Sequence, residues 1–182
     1  MTIPTAIEPG AHDGLRTIDP ATFRSVLGRF VTGVTVITTR SAAASIAGVT
    51  VSSFNTLSLD PPLVLWSLAL AAPSLRTFRA ASHFAVNILA QDQRALATQF
   101  ARPAADKFDG VEIFAGLEGV PLIAGAVAYL ECRFEQRYPG GDHELMIGRV
   151  VRAEVTDRTP LVYSHGHFGN FAAASQERPP RS

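Results

Sequence analysis

Of the 182 residues only Cys132 is a cysteine, so no disulfide within the chain can staple the fold. Lysine is nearly absent too: Lys107 stands alone against fifteen arginines. Sixteen basic residues balance sixteen acidic ones, and a chain of zero net charge gives no bulk electrostatic reason to bind nucleic acid or an acidic membrane. Long apolar runs are missing. The longest, Pro61 to Pro73, is shorter than the ~20 residues that cross a bilayer, and prolines bracket it. Met1 to Leu15 holds no apolar run and carries acidic residues and prolines, so no secretory leader is expected and a cytoplasmic protein is.

Several chemistries are missing with them. No G-x-S-x-G elbow is present. Neither a Walker sequence nor a G-x-G-x-x-G after a strand occurs, so a nucleotide would not sit at a Rossmann turn. Cys132 lies mid-strand among apolar neighbours, where an inert core cysteine is the usual case. His165 and His167 form an H-G-H pair, but no carboxylate or cysteine cluster accompanies it, and no metal is expected. Paired carboxylates for glycoside chemistry are not identifiable.

What is present reads as one domain. Residues 1–17 lack periodicity and carry Pro, Gly and His, the composition of a flexible arm. A helix is predicted from Asp19-Pro20, because Asp caps well and Pro suits the first helical position. Phe23, Val26, Leu27 and Phe30 recur at helical spacing as one apolar stripe, with the exit at Gly33. The β-branched run Val34 to Thr39 reads as a strand, Ser41 to Ser45 as a turn, and Ala47 onward as a second strand. Leu63 to Leu68 is apolar almost throughout, as a strand covered on both faces would be. Ser74 is placed to cap a short helix with Leu75 and Phe78 inward. His83 to Leu89 is a further strand, and Gln91 to Phe100 a helix with Leu96, Ala97 and Phe100 inward. Val111 to Phe114 is a short strand, Ala126 to Val155 a hairpin turning at Pro139-Gly140-Gly141-Asp142, and Leu161 to Tyr163 a last strand. Residues 172–182 form a tail. Six or seven strands with about three short helices predict an α+β domain, mainly β, over residues 18–171, built on an antiparallel barrel.

Within this scaffold the stretch A-G-V-T-V-S-S-F-N-T-L-S-L-D-P-P from Ala47 stands out. Thr50, Ser52, Ser53, Asn55, Thr56 and Ser58 put six small hydrogen-bonding side chains into nine residues. Such residues fill a core poorly. Either they face water, or they let a flat polar ligand approach the backbone and offer donors and acceptors around its rim. Gly140-Gly141-Asp142-His143-Glu144 presents a histidine behind a glycine turn, either simply exposed or a donor near a ligand. Asp106-Lys107-Phe108-Asp109-Gly110 reads as a solvated loop.

In order and spacing the segments F-R-S-V-L-G-R-F-V-T-G-V-T-V-I-T-T from Phe23, G-V-T-V-S-S-F-N-T-L-S-L-D-P-P-L-V-L from Gly48, F-A-V-N-I-L from Phe84, D-K-F-D-G from Asp106, G-G-D-H-E from Gly140 and I-G-R-V from Ile147 resemble the flavin reductase family. These are small NAD(P)H:flavin oxidoreductases that serve as reductase components of two-component flavin monooxygenases. The resemblance runs from Ile18 to Asn170. It implies a split β-barrel of the FMN-binding type with short flanking helices. It also implies a homodimer with FMN or FAD near the subunit interface, and NADH or NADPH as hydride donor. Ala47, Gly48, Val49, Thr50, Ser52 and Ser53 are implied to lie along the isoalloxazine and ribityl chain. Ser67, Leu68 and Ala69, with Ser74 at a helix start, are implied near the flavin phosphate. Gln99 and Phe100 complete the implied pocket. His143 takes the catalytic place, and Tyr163, Ser164, His165 and Gly166 the nicotinamide side. Three positions depart from the pattern: Pro73 and Gln99 stand where basic residues occur, and Phe168 where a tyrosine is common. The implied activity is hydride transfer to flavin, with reduced flavin diffusing to a flavin-dependent oxygenase. Two alternatives remain from the sequence: a flavin-binding protein of this fold without efficient turnover, or a flavin-fold enzyme recruited to other biosynthetic chemistry.

Overall fold

The computed structural model describes residues 18–104 and 106–172. The two expected arms fall outside the described residues, Ala172 apart. Helix α1 (Pro20–Leu27) starts as predicted: the Asp19 carboxylate accepts the Thr22 N–H at 2.9 Å, and Pro20 takes the first helical position. It closes on Gly28, earlier than the predicted exit. Its apolar stripe is left largely exposed by the described residues. Phe23, Val26, Leu27 and Phe30 are all exposed, Val26 by 64% and Phe30 by 73%.

After α1 come strands β1 (Thr32–Gly33), β2 (Thr35–Arg40), β3 (Ile46–Val51), β4 (Asn55–Leu59) and β5 (Pro62–Ala69). Helix α2 (Leu75–Arg79), β6 (His83–Ile88), helix α3 (Arg94–Ala101), β7 (Ile113–Ala115) and β8 (Pro121–Ile123) follow. The long hairpin β9 (Ala128–Gly140) and β10 (His143–Val155) precedes a short one, β11 (Leu161–Ser164) and β12 (His167–Asn170). The domain is therefore mainly β with few helices, as predicted. The strands missed from the sequence are β1, β4, β8 and β12, pieces of two to five residues that lack room for a pattern to repeat. Among the described residues no helix is long and apolar enough to cross a membrane.

Seven strands form the main sheet in the order β3-β2-β6-β9-β10-β5-β4, antiparallel throughout. Its two edges are β3 and β4, yet only Ser52, Ser53 and Phe54 link them. Val51 and Asn55 thus stand no more than about 14 Å apart along the chain, at up to ~3.6 Å per residue. The sheet must curl until its edges meet. No ladder joins them, so the sheet is not closed by backbone bonds. The corner is held by a side chain instead: Ser53 Oγ accepts the Ser67 N–H at 3.0 Å and donates to the Ser67 carbonyl at 3.3 Å.

The curled sheet is packed on both sides. Ile37 joins Trp66, Phe78, Phe84 and Met146, while its neighbour Val36 points the other way into Leu89, Phe100, Ile123 and Leu161. β2 is thus buried on both faces, which explains a β-branched run with no polar alternation. Its threonines are satisfied inside: Thr38 donates to the Pro121 carbonyl at 2.5 Å and Thr39 to that of His83 at 2.6 Å.

Candidate active site

An open cleft of about 920 Å³ lies between three walls. The first is the start of β3, Ile46 to Val49. The second is Ala72, Pro73, Ser74 and Thr77, entering α2. The third is Ala101, Pro103, Ala104, Asp106, Lys107 and Phe108, at the end of α3 and beyond it. A smaller hollow of about 500 Å³ adjoins it across Ala72 and Pro73 and holds Arg76 and Arg79.

The first wall is flat for a physical reason. Gly48 has Phe100 directly beneath it: a Cβ there would lie 2.6 Å from Phe100 Cδ1 and 3.3 Å from Phe108 Cζ. The Phe100 ring is fully buried and meets Phe108 edge-on at 5.0 Å. Thus Phe100 sets the floor of the cleft from below, and Phe108 reaches its surface. Thr50 is tied to structure as well, donating to the Ala97 carbonyl at 2.7 Å.

The third wall is pinned by two side chains, Gln99 on α3 and Lys107 in the segment itself. Gln99 Nε2 donates to the carbonyls of Lys107 and Asp109, both at 2.9 Å, and so staples the 106–110 segment to α3. Lys107 Nζ donates to the Phe100 carbonyl at 2.8 Å and to that of Gly48 at 3.3 Å. Burial holds this amine below its ordinary pKa, because a charge loses hydration there. On the second wall Ser74 heads α2, and its hydroxyl makes no capping bond.

The structure thus brings Ala47, Gly48, Val49 and Ser74 to one cleft, with Gln99 and Phe100 supporting it. Ser52 is exposed at the β3–β4 corner, and the Ser53 hydroxyl is spent on the Ser67 backbone. Leu68 is buried, opposite Glu144 in the ladder, and Ala69 faces His143. His143 lies outside the cleft lining, half-exposed, with Nδ1 2.7 Å from Asp142 Oδ1. That hydrogen bond holds the Asp142 carboxyl below its usual range. Tyr163 to Gly166 also lie outside the lining. His165 and Gly166 both have positive φ and form the tight turn between β11 and β12, and the His165 N–H donates to the Gly28 carbonyl at 2.7 Å. Among the described residues no group of three metal-ligating side chains gathers, the H-G-H pair included.

Sequence reasoning missed Ala72, Thr77, Lys107 and Phe108. Thr77 had a signal, lying three residues after Ser74 and so on the same helical face. Lys107 had one too, as the chain's single lysine.

Residues 27–172 match a family model described as a flavin reductase like domain. The chain is 44% identical over 150 residues to the FMN reductase (NADH) SmoA of Agrobacterium fabrum, covering 82% of this chain and 85% of that protein. It is 38% identical over 164 residues to the 4-nitrophenol 4-monooxygenase/4-nitrocatechol 2-monooxygenase reductase component of Rhodococcus opacus, covering 90% and 88%. The solved structure of the Streptomyces globisporus NADH:FAD oxidoreductase SgcE6, in complex with NAD and FAD fragments, has a TM-score of 0.82 at 39% identity and covers 89% of this chain and 100% of that one. A cleft walled by a flat strand, a helix start and a pinned loop, on a chain matched along most of its length, belongs to a member of the flavin reductase family.

Proposed function

We propose that the protein is an NAD(P)H-dependent reductase of FMN or FAD, with the flavin in the cleft between β3, α2 and the 101–108 segment. The cleft itself carries the reading. Its volume falls in the range of small-molecule sites, and its β3 wall shows nothing larger than valine and isoleucine, so a flat ring can approach the strand backbone. Ser74 and Thr77 line the α2 wall, and their hydroxyls are assigned to the flavin phosphate. The activities for which the relatives are named, FMN reductase (NADH) and NADH:FAD oxidoreductase, support the same reading.

The chain's own work is positional. A bound flavin would supply the redox chemistry of accepting a hydride from a nicotinamide. Ala47, Gly48 and Val49 would hold its ring against the strand and leave the other face open to the second ring. Ser52, exposed at the corner beyond the end of β3, is assigned a hydrogen bond to the flavin. Ser67, Leu68 and Ala69 lie on β5, which runs on to the residues that enter α2. His143, with Tyr163 to Gly166, is assigned to orient the nicotinamide nucleotide. A partner oxygenase would receive the reduced flavin, a reading supported by a relative named as a monooxygenase reductase component. The curled sheet is read as a split barrel closed at the Ser53 corner.

The working unit is proposed to be a homodimer in the cytoplasm. Two observations support a second copy. Among the described residues the apolar face of α1 is left exposed, and such faces mark contact surfaces. The nicotinamide-side residues also stand off the cleft within one chain. Oxidation of NADH and NADPH by purified protein, with FMN, FAD or riboflavin added, tests the activity, and light scattering tests the dimer. Flavin-dependent oxidation by a dimer is expected. Flavin bound without nicotinamide oxidation would overturn the reductase reading in favour of a carrier or another biosynthetic role.

A further inference from the structure

Among the described residues Lys107 is the one cationic side chain on the walls of the main cleft. Its amine is half-buried and bridges two carbonyls, Gly48 O on one wall and Phe100 O at the end of α3. Among the described residues no carboxylate forms an ion pair with it. The neighbouring Asp106 also reaches the cleft, but its Oδ1 is turned back to the Phe108 N–H at 2.8 Å. As a mere latch between carbonyls, a neutral amide donor would serve without the cost of dehydrating a charge. A cation with two donors spent on carbonyls and no counter-ion has one donor and its charge left for a ligand.

We propose that Lys107 stabilises reduced flavin relative to oxidised flavin, its remaining N–H and its charge facing the charge that reduction leaves on the ring. This rests on the reductase reading above. The balance requires such a partner. A hydride moves two electrons and one proton from nicotinamide C4 to flavin N5. The nicotinamide departs as its cation, and the flavin retains one negative charge. A fixed positive group in a partly dehydrated site acts on that charge more strongly than the same group in water. It is also a selective effect, because oxidised flavin has no such charge on its ring.

The test compares dissociation constants of oxidised and anaerobically reduced FMN for the full chain, Lys107→Gln, Lys107→Met and Lys107→Arg, alongside thermal stability. Lys107→Gln should weaken reduced FMN about tenfold more than oxidised FMN, a shift of about 30 mV in the bound two-electron couple. Lys107→Arg, which keeps the charge, should restore most of that ratio. Lys107→Met removes charge and donors together and should show the same selectivity, with a lower melting temperature. If the variants weaken both redox forms equally, Lys107 is only a latch and the proposal fails. Should Lys107→Gln fail to fold, the ratio in Lys107→Arg against Lys107→Met decides by the same criterion. If the parent protein binds neither form, the reductase reading itself falls and takes the proposal with it.

Discussion

Two glycines with equally crowded surroundings separate the cleft from the core. At Gly48 an added methyl would lie 2.6 Å from Phe100 Cδ1, and at Gly148 it would meet the Phe84 ring and lie 3.1 Å from Cys132 Cβ. Both rings are fully buried: Phe100 is pinned between β3 and α3, and Phe84 sits 5.7 Å from Trp66 and 4.7 Å from Phe134. Neither can swing aside freely. Overpacking of this kind costs about 1–3 kcal/mol. For a domain of this size about 2 kcal/mol lowers the melting temperature by roughly 4–8 °C. Gly48→Ala and Gly148→Ala should therefore show similar losses in a thermal melt. They should differ in flavin binding, because only Gly48 forms a wall of the cleft. Fluorescence titration with FMN should show at least about a tenfold loss for Gly48→Ala, or about 1.4 kcal/mol, with Gly148→Ala near the parent at a temperature where both are folded. Equal FMN affinity in both variants would refute the placing of the flavin ring over Gly48. Unchanged melting of both would refute the packing argument itself.

Burial pushes the Cys132 thiol up to about 12, with the nearby Glu131 charge adding to it, so at pH 8 only about one thiol in ten thousand is thiolate. It should resist a thiol reagent in the native protein and react at once in urea; rapid native labelling would contradict its burial. Because the folded value is raised, this group's contribution to stability is whole below about pH 9 and drains as pH climbs toward 12. His143→Ala, removing a half-exposed ring, should raise the Michaelis constant for NADH about fivefold while FMN affinity is nearly kept. A lower melting temperature with both ligands weakened would instead make His143 a structural residue.

The parts of the fold that could be read from sequence are those where one physical cause dominates. Asp19-Pro20 specified the start of α1 through capping alone. Pro139 to Asp142 specified the β9–β10 turn, and Leu75 and Phe78 the inner face of α2. The corner at Ser52 to Phe54 was not legible. The polar stretch from Ala47 reads as one element, yet β3 and β4 end up at opposite edges of a sheet whose order depends on contacts distant in sequence. The cleft was half legible. The small polar residues from Thr50 to Ser58 pointed along the strand past the cleft, and it was the resemblance that supplied Ala47, Gly48, Val49 and Ser74. The role of the 106–110 segment escaped, because a charged loop with a glycine looks solvated until Gln99 is seen holding it to α3. The α1 stripe was legible as apolar, but its direction, outward from the single chain, was not.

The central claim, that the cleft holds flavin with its phosphate at the start of α2, is tested most directly by comparing FMN with riboflavin on one variant. Ser74→Asp places a carboxylate where the Ser74 hydroxyl, free of any capping bond, faces the cleft. Repulsion between that carboxylate and the phosphate should weaken FMN by about tenfold or more, whereas riboflavin, which has no phosphate, should bind within about twofold of the parent. Unchanged FMN affinity, or an equal loss for both ligands, would contradict it.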